Sequence, residues 1–188
     1  HSQTNCKLLY ICDKREELFS DVSDLYPHAK YTQDISEILS DDQVNSVLIA
    51  TPVSNHFQLA QMSLEAGKNV FVEKPFTITA SEANQLNKIA GDQGLIIAVD
   101  HTFMYSGAVQ KIKSLIDSGE IGEILYIDSV RINLSLFRDD VNVIYDLAPH
   151  DLSIGNYLIS GAPKTIRAIG IGNDLNDLKP ILKSKFSI

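Results

Sequence analysis

Ala66-Gly67-Lys68-Asn69-Val70-Phe71-Val72-Glu73-Lys74-Pro75 holds, in one short stretch, a helix end, a strand and an abrupt polar stop. Gly67 stands where the residue closing a helix favours glycine, because a left-handed backbone meets no Cβ penalty there. Val70 to Val72 then reads as a strand, and Pro75 ends it. The pattern repeats outward in both directions. His56 to Ala66 is the preceding helix, and Val44 to Ala50, apolar apart from Asn45 and Ser46, is the strand before it, expected to be covered on both faces. Thr51-Pro52 closes that strand. Downstream, Thr79 with Glu82 three residues on forms a capping box for a helix to about Ala90, and Gly94 introduces a strand from Leu95 to Val99. Ala108 to Ile116 is the next helix, stopped near Gly119. Upstream, Lys7 to Cys12 is a strand that stops at Asp13. Leu18, Phe19, Val22 and Leu25 mark a helix over Arg15 to Tyr26, closed by Pro27. Tyr31 is briefly extended, and Asp34, with Glu37 in the capping-box position, starts a helix burying Ile35, Ile38 and Leu39. Strands alternating with crossover helices predict an α/β fold with a parallel sheet.

From Glu123 the grammar changes. Ile124 to Leu134 alternates apolar and polar residues, as a strand of a mixed or antiparallel sheet does. Ser135 to Val143 is irregular, Tyr145 to Ile159 is a helix ending at Gly161-Ala162-Pro163, and Thr165 to Ile171 is another strand. This predicts a domain boundary near residue 121, between residues 1–121 and residues 122–188. The chain opens without methionine, and Leu182 to Ile188 completes no recognisable element, so both ends look cut.

Composition narrows the function. A net charge of −8 and a pI near 5.0 over 188 residues leave no basic surface for phosphates, so nucleic acid is not an expected partner. No apolar run approaches the roughly 18 to 20 residues a membrane span needs, and no leader opens the chain, so a cytoplasmic location is expected. Cys6 and Cys12 are expected to be buried or partly buried thiols of a reducing compartment, neither a disulfide nor a metal site. His28, His56 and His101 lack metal-ligand spacing.

Ligands of open parallel sheets bind beyond the carboxyl ends of the strands, which singles out the polar residues there. Asp13 ends the first strand. It is either the acid that hydrogen-bonds an adenosine ribose or a strand-end acid stabilised by a helix N-terminus. As a ribose ligand it would disfavour a 2′-phosphate and point to NAD over NADP, a preference that Lys14 and Arg15 soften. Lys74 has two readings as well: an ammonium facing the cleft, able to polarise a carbonyl or exchange a proton with a hydroxyl, or one half of a loop-closing ion pair. Asp146 and His150 lie four apart on a predicted helix and share a face, so the carboxylate could orient the imidazole for acid/base work. The alternative is a packed histidine near a helix start, with Pro149 tolerated there.

Taken together, Ala50-Thr51-Pro52 with Asn55-His56, the Ala66 to Pro75 string, Asp100-His101-Thr102-Phe103 and Asp146-Leu147-Ala148-Pro149-His150-Asp151 closely resemble the Gfo/Idh/MocA family of sugar and polyol oxidoreductases, from Lys7 to about Gly172. The resemblance implies a nicotinamide cofactor, NAD with NADP possible, and a small-molecule sugar or nucleotide-sugar substrate. It also implies that residues 1–121 are a Rossmann-like domain binding that cofactor, and that residues 122–188 begin an α+β substrate domain with a mixed or antiparallel sheet, which shapes the substrate site and mediates homo-oligomer contacts. Lys74 would be the catalytic lysine beside the substrate hydroxyl, and His150 the acid/base histidine with Asp146 beside it. Thr51, Pro52, Asn55 and His56 would line the nicotinamide side, and Glu73 would stand near the nicotinamide ribose.

The string from Asp140 to Ser153 looks like members associated with bacterial nucleotide-sugar and surface-polysaccharide biosynthesis. That implies oxidation of a ring hydroxyl to a ketone, with Arg131 or Arg138 meeting a pyrophosphate. Three departures stand out. Ser153 occupies a position that is often acidic in the family, and Ser106-Gly107 replaces a common Asn-Pro and is expected to loosen the following helix. The first strand and the glycine-rich phosphate turn are expected before His1. A non-catalytic dinucleotide- or sugar-binding regulator, or an inactive truncated remnant, are the competing readings.

Overall fold

The computed structural model describes residues 6–131, 143–159, 163–171 and 181–187. They group into two compact units. One holds the residues up to Val72 with Thr79–Ala98, and the other holds Glu73–Ile78 with the residues from Val99 on.

In the first unit, β1 (Tyr10–Cys12) pairs in parallel with β2 (Lys30–Thr32), and β3 (Ser46–Ile49) pairs in parallel with β4 (Asn69–Val72). A three-stranded sheet runs β3-β4-β5, with β5 at Ile97–Val99. Helices α1 (Phe19–Ser23), α2 (Ile35–Ser40), α3 (His56–Glu65) and α4 (Ala80–Gln93) connect the strands. The core forms where α3 and α4 meet each other and one sheet face, burying Val47, Ile49, Ala60, Leu64, Val70, Val72, Leu86 and Ala90. The parallel α/β architecture predicted from the alternation is therefore present, and Gly67 and Gly94 close α3 and α4 with φ of +75° and +67°.

Local signals translate directly into local structure. Thr79 Oγ1 accepts the Glu82 backbone N–H at 3.2 Å, and the Glu82 carboxylate accepts the Thr79 N–H at 3.0 Å, so the capping box is complete. Thr79→Ala is expected to cost about 1 kcal/mol of unfolding free energy, read as a lower urea midpoint with an unchanged slope. Asp34 caps α2 by accepting the Ser36 N–H at 2.9 Å, without a reciprocal bond from Glu37.

Where the expectation depended on distant partners, the structure differs. The helix expected over Arg15 to Tyr26 is a 3-10 turn, Glu16–Leu18, followed by α1, and Leu25 is 72% exposed. The Ser20 and Ser23 hydroxyls bond back to carbonyls three residues earlier, and the Tyr31 hydroxyl donates to the Tyr26 carbonyl at 2.9 Å, which ends the helix early. Strand β3 is covered on one face only. Val47 and Ile49 are buried but Leu48 is 68% exposed, because α3 and α4 pack on the same side of the sheet. Both Cys6 and Cys12 are exposed, not buried.

In the second unit, α5 (Gly107–Asp117) packs on α6 (Val143–Leu158), and β6 (Thr165–Ile171) pairs antiparallel with β7 (Ile181–Ser187). The C-terminal residues thus complete a strand that their sequence did not reveal. Ser106 does not loosen α5 but caps it, its hydroxyl accepting the Val109 N–H at 3.4 Å. The strand expected from Ile124 is absent over residues 124–131, where Leu125, Tyr126 and Val130 are exposed. Alternation creates a strand only when a neighbour supplies the ladder, and none pairs there among the described residues. Residues 132–142 and 160–162, which include Arg138 and the Gly161-Ala162 helix stop, lie outside the described residues.

Candidate active site

Lys74, two residues beyond β4, carries an ammonium that is mostly buried. The Glu73 carboxylate accepts the Lys74 backbone N–H at 3.1 Å, fixing the turn from which the lysine side chain departs. Lys74 Nζ donates to Asp146 Oδ1 at 3.1 Å and to the Asp146 backbone carbonyl at 2.9 Å, with side-chain exposures of 17% for Lys74 and 19% for Asp146. Two of three ammonium protons are thereby committed and one remains for a ligand oxygen. The Tyr145 hydroxyl donates to the Ile78 carbonyl at 3.0 Å, tying α6 to the same segment. Pro149 lies inside α6, where it cannot donate to the Tyr145 carbonyl four residues back.

His150 shares the Asp146 face of α6, yet no hydrogen bond joins them. Helical side chains lean toward the N-terminus, so the short Asp146 carboxylate points away from His150, and it meets the Lys74 cation instead of a neutral ring. Asp146, expected to orient the imidazole, is hydrogen-bonded to the Lys74 ammonium instead. His150 Nδ1 is buried without a hydrogen-bond partner, as is His101 Nδ1. Burial pushes the His150 imidazole below its ordinary pKa, and the Lys74 and Arg131 cations add to that against an opposing pull from Asp151. Burial lowers His101 as well, opposed by Asp100.

Phe103 and Arg131 complete this cluster. The Phe103 ring meets the His150 ring edge-to-face at 4.7 Å, and the Arg131 guanidinium lies 4.9 Å from the Phe103 centroid. Arg131 donates twice to Asp151, from Nε at 2.9 Å and from the terminal nitrogen at 3.0 Å, and the Ser129 hydroxyl donates to the same carboxylate at 3.0 Å. Burial raises the Asp151 carboxyl, but these hydrogen bonds and the Arg131 charge outweigh it and hold the group below its ordinary value. Two of the five Arg131 N–H groups are thus engaged by Asp151, and the guanidinium stands over the Phe103 ring. Ser153 donates its hydroxyl to the His150 carbonyl at 2.9 Å. Sequence reasoning had no role for Ser129 or Phe103. The two-residue spacing of Ser129 and Arg131, which puts them on one side of an extended segment, was the available signal.

The residues expected to hold the cofactor's adenosine and nicotinamide lie mainly in the first unit. Thr51, Pro52 and Asn55 are exposed just beyond β3, which fits a dinucleotide at that strand's carboxyl end. His56 is 1% exposed and its Nε2 lies 2.9 Å from the Thr51 carbonyl, so it shapes this turn from beneath and presents no surface. Asp13 Oδ1 accepts the Arg15 N–H at 2.9 Å and its Nε at 3.1 Å, and these bonds hold its carboxyl below the ordinary value. Asp13 lies directly after β1. No group of three or more metal-ligating side chains occurs among the described residues, and no helix there is long and apolar enough to cross a membrane.

Residues 1–101 match the Gfo/Idh/MocA family, described as an oxidoreductase family with an NAD-binding Rossmann fold. The chain is 38% identical over 105 residues to the uncharacterized oxidoreductase YhhX of Escherichia coli, covering 56% of this chain and 30% of that protein. It is 33% identical over 132 residues to a UDP-N-acetylglucosamine 3-dehydrogenase of Acidithiobacillus ferrooxidans, covering 69% and 40%. It therefore spans well under half the length of these curated relatives. A solved oxidoreductase from Bacteroides fragilis shares the fold, with a TM-score of 0.80 at 24% identity over 95% of this chain and 51% of that one. With its parallel α/β core and this match over more than half its length, the chain belongs to the Gfo/Idh/MocA oxidoreductase family, whose Rossmann fold binds NAD.

Proposed function

We propose that this chain carries the catalytic centre of an NAD-dependent dehydrogenase that oxidises a ring hydroxyl of a sugar to a ketone, with a nucleotide-linked sugar as the substrate. NADP is the alternative cofactor, and the full-length protein acts as a homo-oligomer. In this reading residues 1–121 form the cofactor domain and residues 122–188 begin the substrate domain. The observation that carries it is the mostly buried Lys74–Asp146 pair with His150 one helical turn along α6. A nicotinamide held in this site would supply the acceptor for the hydride that the substrate carbon loses. Asp13 would hold the adenosine ribose, Thr51, Pro52, Asn55 and Glu73 the nicotinamide half, and His56 the shape of the Thr51 turn.

The chain's own residues supply the proton chemistry. Lys74 directs its remaining N–H at the substrate oxygen and stabilises negative charge as the O–H bond weakens. His150, held neutral by burial and neighbouring cations, accepts the hydroxyl proton and returns it in the reverse direction. Asp146 fixes the ammonium in place. The similarity to a UDP-N-acetylglucosamine 3-dehydrogenase supports the nucleotide-sugar assignment.

The test is NADH formation by the full-length protein with UDP-linked sugars, free sugars and cyclic polyols, with NAD affinity measured by calorimetry. We expect turnover with at least one UDP-linked sugar. Tight NAD binding without turnover of any of them would favour a regulatory binding protein.

A further inference from the structure

A catalytic histidine is ordinarily held in one tautomer and tilt by a hydrogen bond to its second ring nitrogen. His150 has no such bond, since Nδ1 is buried without a partner and Asp146 is engaged with Lys74. Something else must fix the ring. Among the described residues the aromatic partner of the ring is Phe103, edge-to-face at 4.7 Å. Behind Phe103 stands Arg131, 4.9 Å from that ring's centroid, and its fork grips Asp151 at 2.9 Å and 3.0 Å. Asp151 is the residue after His150 on α6, so the contacts close on themselves: imidazole, phenyl ring, guanidinium, carboxylate and back to the helix that carries the imidazole. Ser129 braces the carboxylate from outside at 3.0 Å.

We propose that Arg131 is the positioning residue for His150, holding the imidazole through Phe103 on one side and through Asp151 on the other. The catalytic meaning of that role rests on the function proposed above, but the brace itself does not. A guanidinium serves both contacts at once, standing over a ring and presenting a two-donor fork to a carboxylate; a lysine ammonium can sit over a ring but lacks the planar fork. Arg131 and Asp151 also compensate each other electrostatically beside His150. The other charged or titratable groups around the imidazole are Lys74, which is paired with Asp146 but still acts on the ring as a cation, and His101. On α5, which packs against α6, Lys113 pairs with Asp117 at 2.6 Å.

The readout is the ring-nitrogen NMR titration of His150 in the full-length protein, its signals assigned by their loss in His150→Asn. Arg131→Met removes a cation and frees a carboxylate, so the His150 midpoint rises toward the ordinary histidine value and its tautomer ratio changes. Arg131→Lys keeps the charge but not the fork, so the midpoint stays low while the tautomer ratio changes as in the methionine variant. Asp151→Asn lowers the midpoint further. A purely structural Arg131 would lower stability and leave both readouts unmoved. That result in folded Arg131→Met and Arg131→Lys overturns the proposal, and should the methionine variant fail to fold, Arg131→Lys and Asp151→Asn carry the same readouts. None of this requires turnover, so failure of the dehydrogenase reading and failure of the brace are separately visible.

Discussion

Full-length protein carrying Lys74→Ala is expected to form NADH about 10³-fold more slowly than wild type, a loss of ~4 kcal/mol in transition-state stabilisation. The reason lies in where the ammonium's donors go. Two hydrogen bonds to Asp146 immobilise Nζ, so the third N–H is aimed before substrate arrives and needs no reorganisation as charge develops on the substrate oxygen. The effect should fall on kcat more than on KM, because that interaction strengthens only as the proton leaves. Removing the lysine also leaves the Asp146 carboxylate, 19% exposed, without its cation, costing about 1 kcal/mol of stability after solvent screening. Equal turnover in variant and wild type would remove Lys74 from the chemistry.

His150→Asn is expected to slow kcat by about 10²-fold to 10³-fold and to abolish the acidic limb of the pH profile. In wild type, kcat/KM falls as pH drops through the depressed His150 midpoint, because the imidazolium cannot accept the substrate proton. The asparagine variant is slow at every pH and flat through that range. Stability carries the same signature. The folded-state pKa of His150 lies below the ordinary value, so the unfolded chain takes up the proton first as pH falls. Its contribution is fully present above the ordinary histidine range and is lost as pH drops through that range toward the folded value. His101 shifts in the same direction and adds to the slope. Urea unfolding of His150→Asn should therefore depend less steeply on pH than wild type. An unchanged slope would show that burial does not hold this ring neutral.

Much of the fold was legible because its signals are local. The Thr79–Glu82 box, the glycines closing α3 and α4, and Asp34 before α2 each act within one turn of chain, and each does what its residue type dictates. The expectations that missed needed a distant partner. Residues 124–131 alternate correctly but have no neighbouring strand among the described residues, and Ile181–Ser187 became a strand because β6 was there to pair with it. Leu48 was expected inside because an apolar strand reads as doubly covered, whereas α3 and α4 cover one face.

The candidate site divides along the same line. Lys74, Asp146 and His150 could be named from their strings, since residue type and spacing on a strand end or helix face are properties of the sequence. That Lys74 and Asp146, 72 positions apart, lie 3.1 Å from each other is a tertiary fact. So is the choice Asp146 makes between a cation across the fold and an imidazole one turn away, which the cation wins because charge meets charge at low exposure. Composition and motif determined the family and the chemistry available to this chain. Only the packed structure decided which groups are paired and which are left free to act, because a pKa, a tautomer and a spare donor depend on neighbours that sequence separation does not specify.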